Sequence, residues 1–361
     1  MIPLLSLILV LPIAAQGRVV KLDGSSVTGN ITAATIEKIE VQSGSDAVAV
    51  APGDVLRLSF GADSTLIRQA SGYLKKLEFQ NAINLLTEAE GQADPAWMPP
   101  YAKLLKAEAL LSWSGFDKNR AGEASAAFTE WIATYPDHYW QTRARLGQAT
   151  AMGRAGKVQD AGKALQDLAG FAFDKNLGKH VEFLARLTRC EVFLEGNEAA
   201  LAKQRLEGSN GLVATLKTAA NSPESPTALR TVLHGYWVRA QILLGDSLEQ
   251  ASGLDDAKRY WENVLRSEKK LSDDARANGK IVIARASREA GKLREAQFAL
   301  AEIAATLNCG PDTMARALFT LGEVCQELGD KPTPGTTYFR RVVERYPASP
   351  WAAKARKKLG N

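Results

Sequence analysis

The stretch "REAGKLREAQFALAEI", residues 288–303, decides how this chain folds, because residues 154–168, "RAGKVQDAGKALQDL", repeat its plan. Aligned at Gly291 and Gly156, both read Ala-Gly-Lys, an aliphatic, a polar residue, an acid and Ala, with Ala-Leu three residues on. A small residue stands seven before each glycine, Ala284 and Ala149. Ala296 and Ala161 follow at five, Leu300 and Leu165 at nine, and Ile303 and Leu168 at twelve. This is the plan of two amphipathic helices joined at a glycine turn. Glycine ends the first helix because it enters the left-handed region without a Cβ clash. Alanines sit where the paired helices come closest, and the larger aliphatics fill the seam.

The plan recurs with variations. Ala70, Tyr73, Ala82, Leu86 and Ala89 fit it without the glycine. Ala124, Phe128, Trp131 and Pro136 form the second half of another unit. Ala240, Ala257, Trp261 and Val264 form a further one, with a loop expected near Asp246–Gly253. The last unit carries Leu321, Gly322, Gly329, Gly335, Phe339 and Pro347. Lys179–Gly211 fits the plan poorly. The spacing predicts about seven helical hairpins, beginning near residues 64, 99, 138, 178, 225, 272 and 311. A closing helix is signalled by Ser349 as N-cap, Pro350 at the first position and Gly360 past the end.

These positions resemble tetratricopeptide repeats: a small residue in the first helix, a turn, Ala and a large apolar residue in the second, and a closing Pro. The C-terminal stretch "RALFTLGEVCQELGD…YFRRVVERYPASPWAAKARKKLG" is similar to the repeats of bacterial envelope proteins, among them the outer-membrane assembly lipoprotein BamD and the periplasmic coordinator of the Tol–Pal system. The resemblance implies a right-handed α-α superhelix over residues 64–361 with a concave groove, and a scaffold role at the cell envelope.

Residues 18–60 have a different texture. Val, Ile and Thr are frequent, turn clusters interrupt them, and apolar residues alternate, as in Ile39/Val41, Val48/Val50 and Leu56/Leu58/Phe60. That pattern predicts about five short antiparallel strands, with a likeness to small SH3- or Sm-type barrels. A module this small is expected to pack on the first helices. Its four cations and five acids argue against a nucleic-acid face. The expected fold is therefore mainly α, a helical solenoid preceded by a small β-domain.

The first fifteen residues, "MIPLLSLILVLPIAA", carry no charge and end in small residues, the form of a secretory signal peptide cleaved after Ala15. They predict export to the periplasm or cell envelope. From Thr336 onward seven Lys and Arg face one acid, within a chain of net charge +5. Such an end can steer an acidic partner. Equally, Lys354, Arg356, Lys357 and Lys358 suit the negative pole of the last helix.

No motif for a cofactor, a phosphate loop or a catalytic triad is present. His138, His180 and His234 stand 42 and 54 residues apart without metal-ligand spacing, and are expected at the surface or as caps. Cys190, Cys309 and Cys325 are read as small buried residues, with a Cys309–Cys325 bridge as the alternative. In "WIATYPDHYW", residues 131–140, Tyr135, Tyr139 and Trp140 either grip a peptide or a glycan ring or fill the helix seams. The sequence therefore predicts a non-catalytic scaffold that binds a protein or peptide in its groove, with Tyr135, Tyr139, Trp140, Arg356, Lys357 and Lys358 as candidate contacts. Binding of envelope glycan is the alternative.

Overall fold

The computed structural model describes residues 17–60, 64–92, 96–268, 270–329 and 334–360. The expected signal segment lies outside them. Five strands come first: β1 (Gly17–Lys21), β2 (Ser26–Ala34), β3 (Ile39–Ser43), β4 (Asp46–Val50) and β5 (Val55–Ser59). They form one antiparallel sheet in the order β4-β3-β2-β1-β5. Among the described residues, every later element is a helix. The hairpins are α1 (Thr65–Lys75) with α2 (Phe79–Glu90), α3 (Met98–Ser114) with α4 (Arg120–Thr134), and α5 (Gln141–Arg154) with α6 (Val158–Asp174). Next come α7 (Lys179–Glu195), α8 (Ala199–Leu206) and α9 (Leu212–Asn221), then α10 (Thr227–Ser252) with α11 (Leu254–Ser267). The series ends with α12 (Asp273–Glu289) and α13 (Leu293–Thr306), α14 (Pro311–Leu328) and α15 (Gly335–Arg345), and the closing α16 (Pro350–Leu359).

The echoed residues do what their chemistry requires. Gly156 and Gly291 have φ of 86° and 76°, the left-handed turn that lets one helix end and the next begin. Ala149, Ala161, Leu165 and Leu168 are buried, and so are Ala284, Ala296, Leu300 and Ile303. One expectation is corrected. The loop expected at Asp246–Gly253 is the last two turns of α10, and only Gly253, with φ 102°, is turn. Its polar residues are held in the helix by partners: Ser247 Oγ donates to the Leu243 carbonyl at 2.6 Å, and Asp246 and Glu249 meet arginines. The poorly fitting stretch 179–211 is a unit whose second half is broken in two. Gly208 takes φ 89°, so α8 stops and α9 starts afresh.

The chain divides into two compact units. The first joins the stretch up to Ala151 with Leu168–Glu182 and Pro226–Leu229. Within it the sheet buries Val19, Ile39, Val41, Val50 and Val55. It does not stand free. The Tyr139 N–H donates to the Ala34 carbonyl at 3.0 Å, and the Ile36 N–H donates to Asp137 at 2.9 Å, so the β2–β3 turn pairs with the α4–α5 connection. Phe60 stacks on Trp97 and meets Trp140 edge-on, with centroids 5.6 and 5.1 Å apart. Ile36 packs with Ala172 and Leu177 in the α6–α7 connection.

His138 lies at this junction as an internal cap. Its Nδ1 accepts the Trp140 N–H at 3.1 Å, and burial pushes the imidazole pKa down to about 4. A protonated ring loses that acceptor. The folded pKa lies below the unfolded one, so the His138 contribution is complete above about pH 6.5 and is lost as pH falls toward 4. Urea unfolding should show it: between pH 7 and pH 4.5 the wild type loses up to about 3 kcal/mol more than His138→Asn, which keeps an oxygen acceptor without the titration. Equal pH slopes would refute this.

The second unit joins Met152–Asp167, Phe183–Ser225 and the chain from Arg230 onward. From α11 to α16 each helix packs against the next, and in addition α12 packs on α14 and α14 on α16. First helices thus stack on first helices, while second helices lie outside them. One core joins Ala277, Ile281, Ala284, Ala296, Leu300, Ile303, Leu321 and Val324. A second joins Phe319, Phe339, Val342, Ala352 and Ala355. The closing helix has the expected ends: the Trp351 N–H donates to Ser349 Oγ at 3.4 Å, and Gly360 is left-handed.

Candidate functional site

In the second unit the first helices leave a trough. A recess of about 760 Å³ lies along it, bounded by α10, α12, α14 and α16. The helix period explains the lining. On α14, Arg316, Phe319, Thr320 and Glu323 follow one another at i, i+3, i+4 and i+7 and face the recess, while Ala317, Leu321, Val324 and Cys325 face the α13 seam. On α16, Trp351, Lys354 and Lys358 share a face, and Ala352 and Ala355 occupy the buried one. α12 adds Arg285, and α10 adds Glu249 and Gln250.

The floor is ionic. Arg316, only 14% exposed at its side chain, reaches Asp246 at 3.2 Å, Asn278 Oδ1 at 3.2 Å and Glu249 at 3.5 Å. Arg285 pairs with the same Glu249. Burial holds the Asp246 carboxyl above its ordinary range, and Arg316 pulls the other way. Glu323 bridges Arg288 at 2.8 Å and Lys358 at 3.1 Å. The rim is aromatic and cationic. Trp351 meets Phe319 at 5.4 Å, and Lys354 Nζ lies 4.0 Å over the indole. A smaller recess of about 380 Å³ continues between α12 and α14, lined by Arg285, Arg288, Glu289, Glu323 and Glu327.

Of the expected contact residues, Lys357 and Lys358 line the trough. Arg356, beside them in the last turn of α16, is not among its lining residues. The aromatic trio lies elsewhere, and its reading as a glycan or peptide platform is corrected. Trp140 is 5% exposed, with its faces taken by Phe60, Tyr101 and His138. Tyr139 packs into the core of the sheet, and burial pushes its phenol up to about 12. Tyr135 is half-buried against Trp131, 5.3 Å between centroids. These rings build the seat of the sheet.

His180 is likewise buried rather than superficial, with a backbone hydrogen bond to Val55. His234 is half-buried and meets Trp237 edge-on. Cys309 and Cys325 form no bridge, and Cys190 and Cys325 are buried.

Sequence reasoning missed Arg285, Arg316, Glu249, Phe319, Trp351 and Lys354. A signal for two trough residues was available. Arg285 and Glu323 each follow the small first-helix residue, Ala284 or Gly322, that marks closest approach. The position after that residue points along the inner face.

Among the described residues no cluster of His, Cys, Asp and Glu is arranged to hold a metal, and no helix is long and apolar enough to cross a membrane. Paired helices whose first members stack on one another form an α-α repeat array. No protein-family model matches the chain, and no curated protein matches it in sequence. Solved structures that are similar include the apo form of the quorum sensor NprR from B. thuringiensis, at 14% identity and a TM-score of 0.45, over 77% of this chain and 74% of that one. A tetratricopeptide repeat protein from Parabacteroides merdae ATCC 43184 follows at 12% identity and 0.45, over 77% and 91%. The apo form of RapI stands at 14% and 0.44, over 80% and 79%. At these identities and scores the likeness carries no inference about function.

Proposed function

We propose that this protein is an exported, non-catalytic scaffold of the cell envelope that holds a polypeptide segment of a partner protein in the α10–α16 trough. The trough carries this reading. It is open to solvent, walled by side chains from four helices, and it sets Phe319 and Trp351 beside an ionic cluster. A surface of that kind supplies a buried anchor and fixes register, which is what an extended segment needs. Export is supported by the apolar, uncharged stretch that ends at Ala15.

The test is capture of the partner from envelope extract by the wild type and by Trp351→Ala. Loss of the rim indole should weaken capture about tenfold or more, because aromatic anchors at interface centres are worth on the order of 2 kcal/mol. Circular dichroism of the variant should match the wild type. Undiminished capture would move the binding site away from the trough.

A further inference from the structure

We infer that the segment held in the trough is acidic at its α16 end and carries an apolar side chain against Trp351. This rests on the reading of the trough as a polypeptide site and adds the chemistry of its occupant. The charges that line the large recess do not balance. Arg285, Arg316, Lys354, Lys357 and Lys358 face two carboxylates, Glu249 and Glu323. Both carboxylates are already committed, Glu249 to Arg285 and Arg316, and Glu323 to Arg288 and Lys358. Among the described residues Lys354 and Lys357 have no carboxylate partner.

The helix dipole accounts for part of this, since Lys357 and Lys358 lie in the last turn of α16. It does not account for Lys354, which sits mid-helix and holds its ammonium over the Trp351 ring. Ammonium groups gathered on one wall of a concave surface strengthen each other's attraction for an anion. The half-buried indole between Phe319 and Lys354 offers apolar area to a side chain flanked by those anions.

The same geometry disfavours a uniform polyanion. Glu249 and Glu323 stand on the floor, and the recess beyond them adds Glu289 and Glu327. A nucleic-acid backbone or an anionic membrane would bring phosphates against those carboxylates. A peptide can place its acids over α16 and stop them before Glu289.

Selection from a random peptide display library on the full chain tests this. Enriched peptides should combine Asp or Glu with a large apolar residue. Replacing their acids by the corresponding amides should weaken binding about tenfold, and so should the protein change Lys354→Glu with Lys357→Glu. Trp351→Ala should weaken binding as well, and added salt should reduce it. Neutral or basic peptides that still require Trp351 would leave the trough as a polypeptide site and overturn its acidic preference. Peptides indifferent to every one of these substitutions, or no enrichment at all, would overturn both. Vesicles rich in anionic lipid, or duplex DNA, that bind through Lys354 and Lys357 as tightly as the acidic peptides would overturn the inference in favour of a phosphate surface.

Discussion

Trp261→Ala should destabilise the second unit by about 3–5 kcal/mol, the range for removing a fully enclosed large aromatic. Trp261 is 1% exposed. It projects from α11 into a slot made by two glycines, Gly245 on α10 and Gly279 on α12. A Cβ at Gly279 would stand 2.7 Å from the indole, and one at Gly245 would meet its Nε1 edge. The ring thus takes the place of two missing side chains, and backbone cannot follow it inward when it is cut away. The cavity therefore stays open, which puts the cost at the upper end of the range. Gly279→Val should fail for the complementary reason, because the added methyls have nowhere to go. Denaturant unfolding followed by far-ultraviolet circular dichroism, read against the wild type, measures both. A loss under about 1 kcal/mol for Trp261→Ala would show that the indole is not the keystone of this seam.

The same slot shows what a single sequence exposes and what it conceals. Trp261 was legible as a repeat position because it keeps register with Ala257 and Val264 along one face of α11. The first helices begin at Thr65, Met98, Gln141, Lys179, Thr227, Asp273 and Pro311, each within a few residues of the expected start. Their signals are local: Ser64 and Ser272 cap their helices through the side-chain oxygen, and Pro311 takes a first-turn position. The five strands were legible for the same reason, since period two and turn clusters are properties of neighbours in the chain.

Whatever depended on distant partners was hidden. Asp246 and Glu249 looked like loop residues because the guanidiniums that keep them in a helix are 70 and 36 positions away, in Arg316 and Arg285. Trp140 and Tyr139 looked able to serve as a platform because the sheet that covers them precedes them by some eighty residues or more. The candidate trough was half visible. Its cations at Lys357 and Lys358 stood out as a charge run, while Arg316 is a lone cation among the three acids of α14 and shows its role only beside α10 and α16.

Arg316 is also where stability and the trough meet, and Arg316→Ala should cost about 3–5 kcal/mol. Its guanidinium is the hub of Asp246, Glu249 and Asn278. Truncation removes the cation that pairs directly with Asp246 and leaves it only the weaker pull of Arg285. Breaking one side of such a cluster is worse than replacing the whole of it, because the abandoned charge keeps its desolvation penalty. The pH dependence separates this from a packing defect. Burial already raises the Asp246 pKa, and without Arg316 only the weaker pull of Arg285 opposes it. A carboxyl whose folded pKa lies above the unfolded one binds its proton more readily in the native state, so it penalises folding above that pKa and the penalty fades as pH falls through it. The deficit of Arg316→Ala relative to wild type should therefore shrink as pH is lowered from 7 toward 4. Asp246→Leu added to Arg316→Met should recover much of the loss at neutral pH, since an apolar pair of similar volume carries no stranded charge. A deficit that is constant across this pH range, with no recovery in the double variant, would show that Arg316 holds α14 through its methylenes alone.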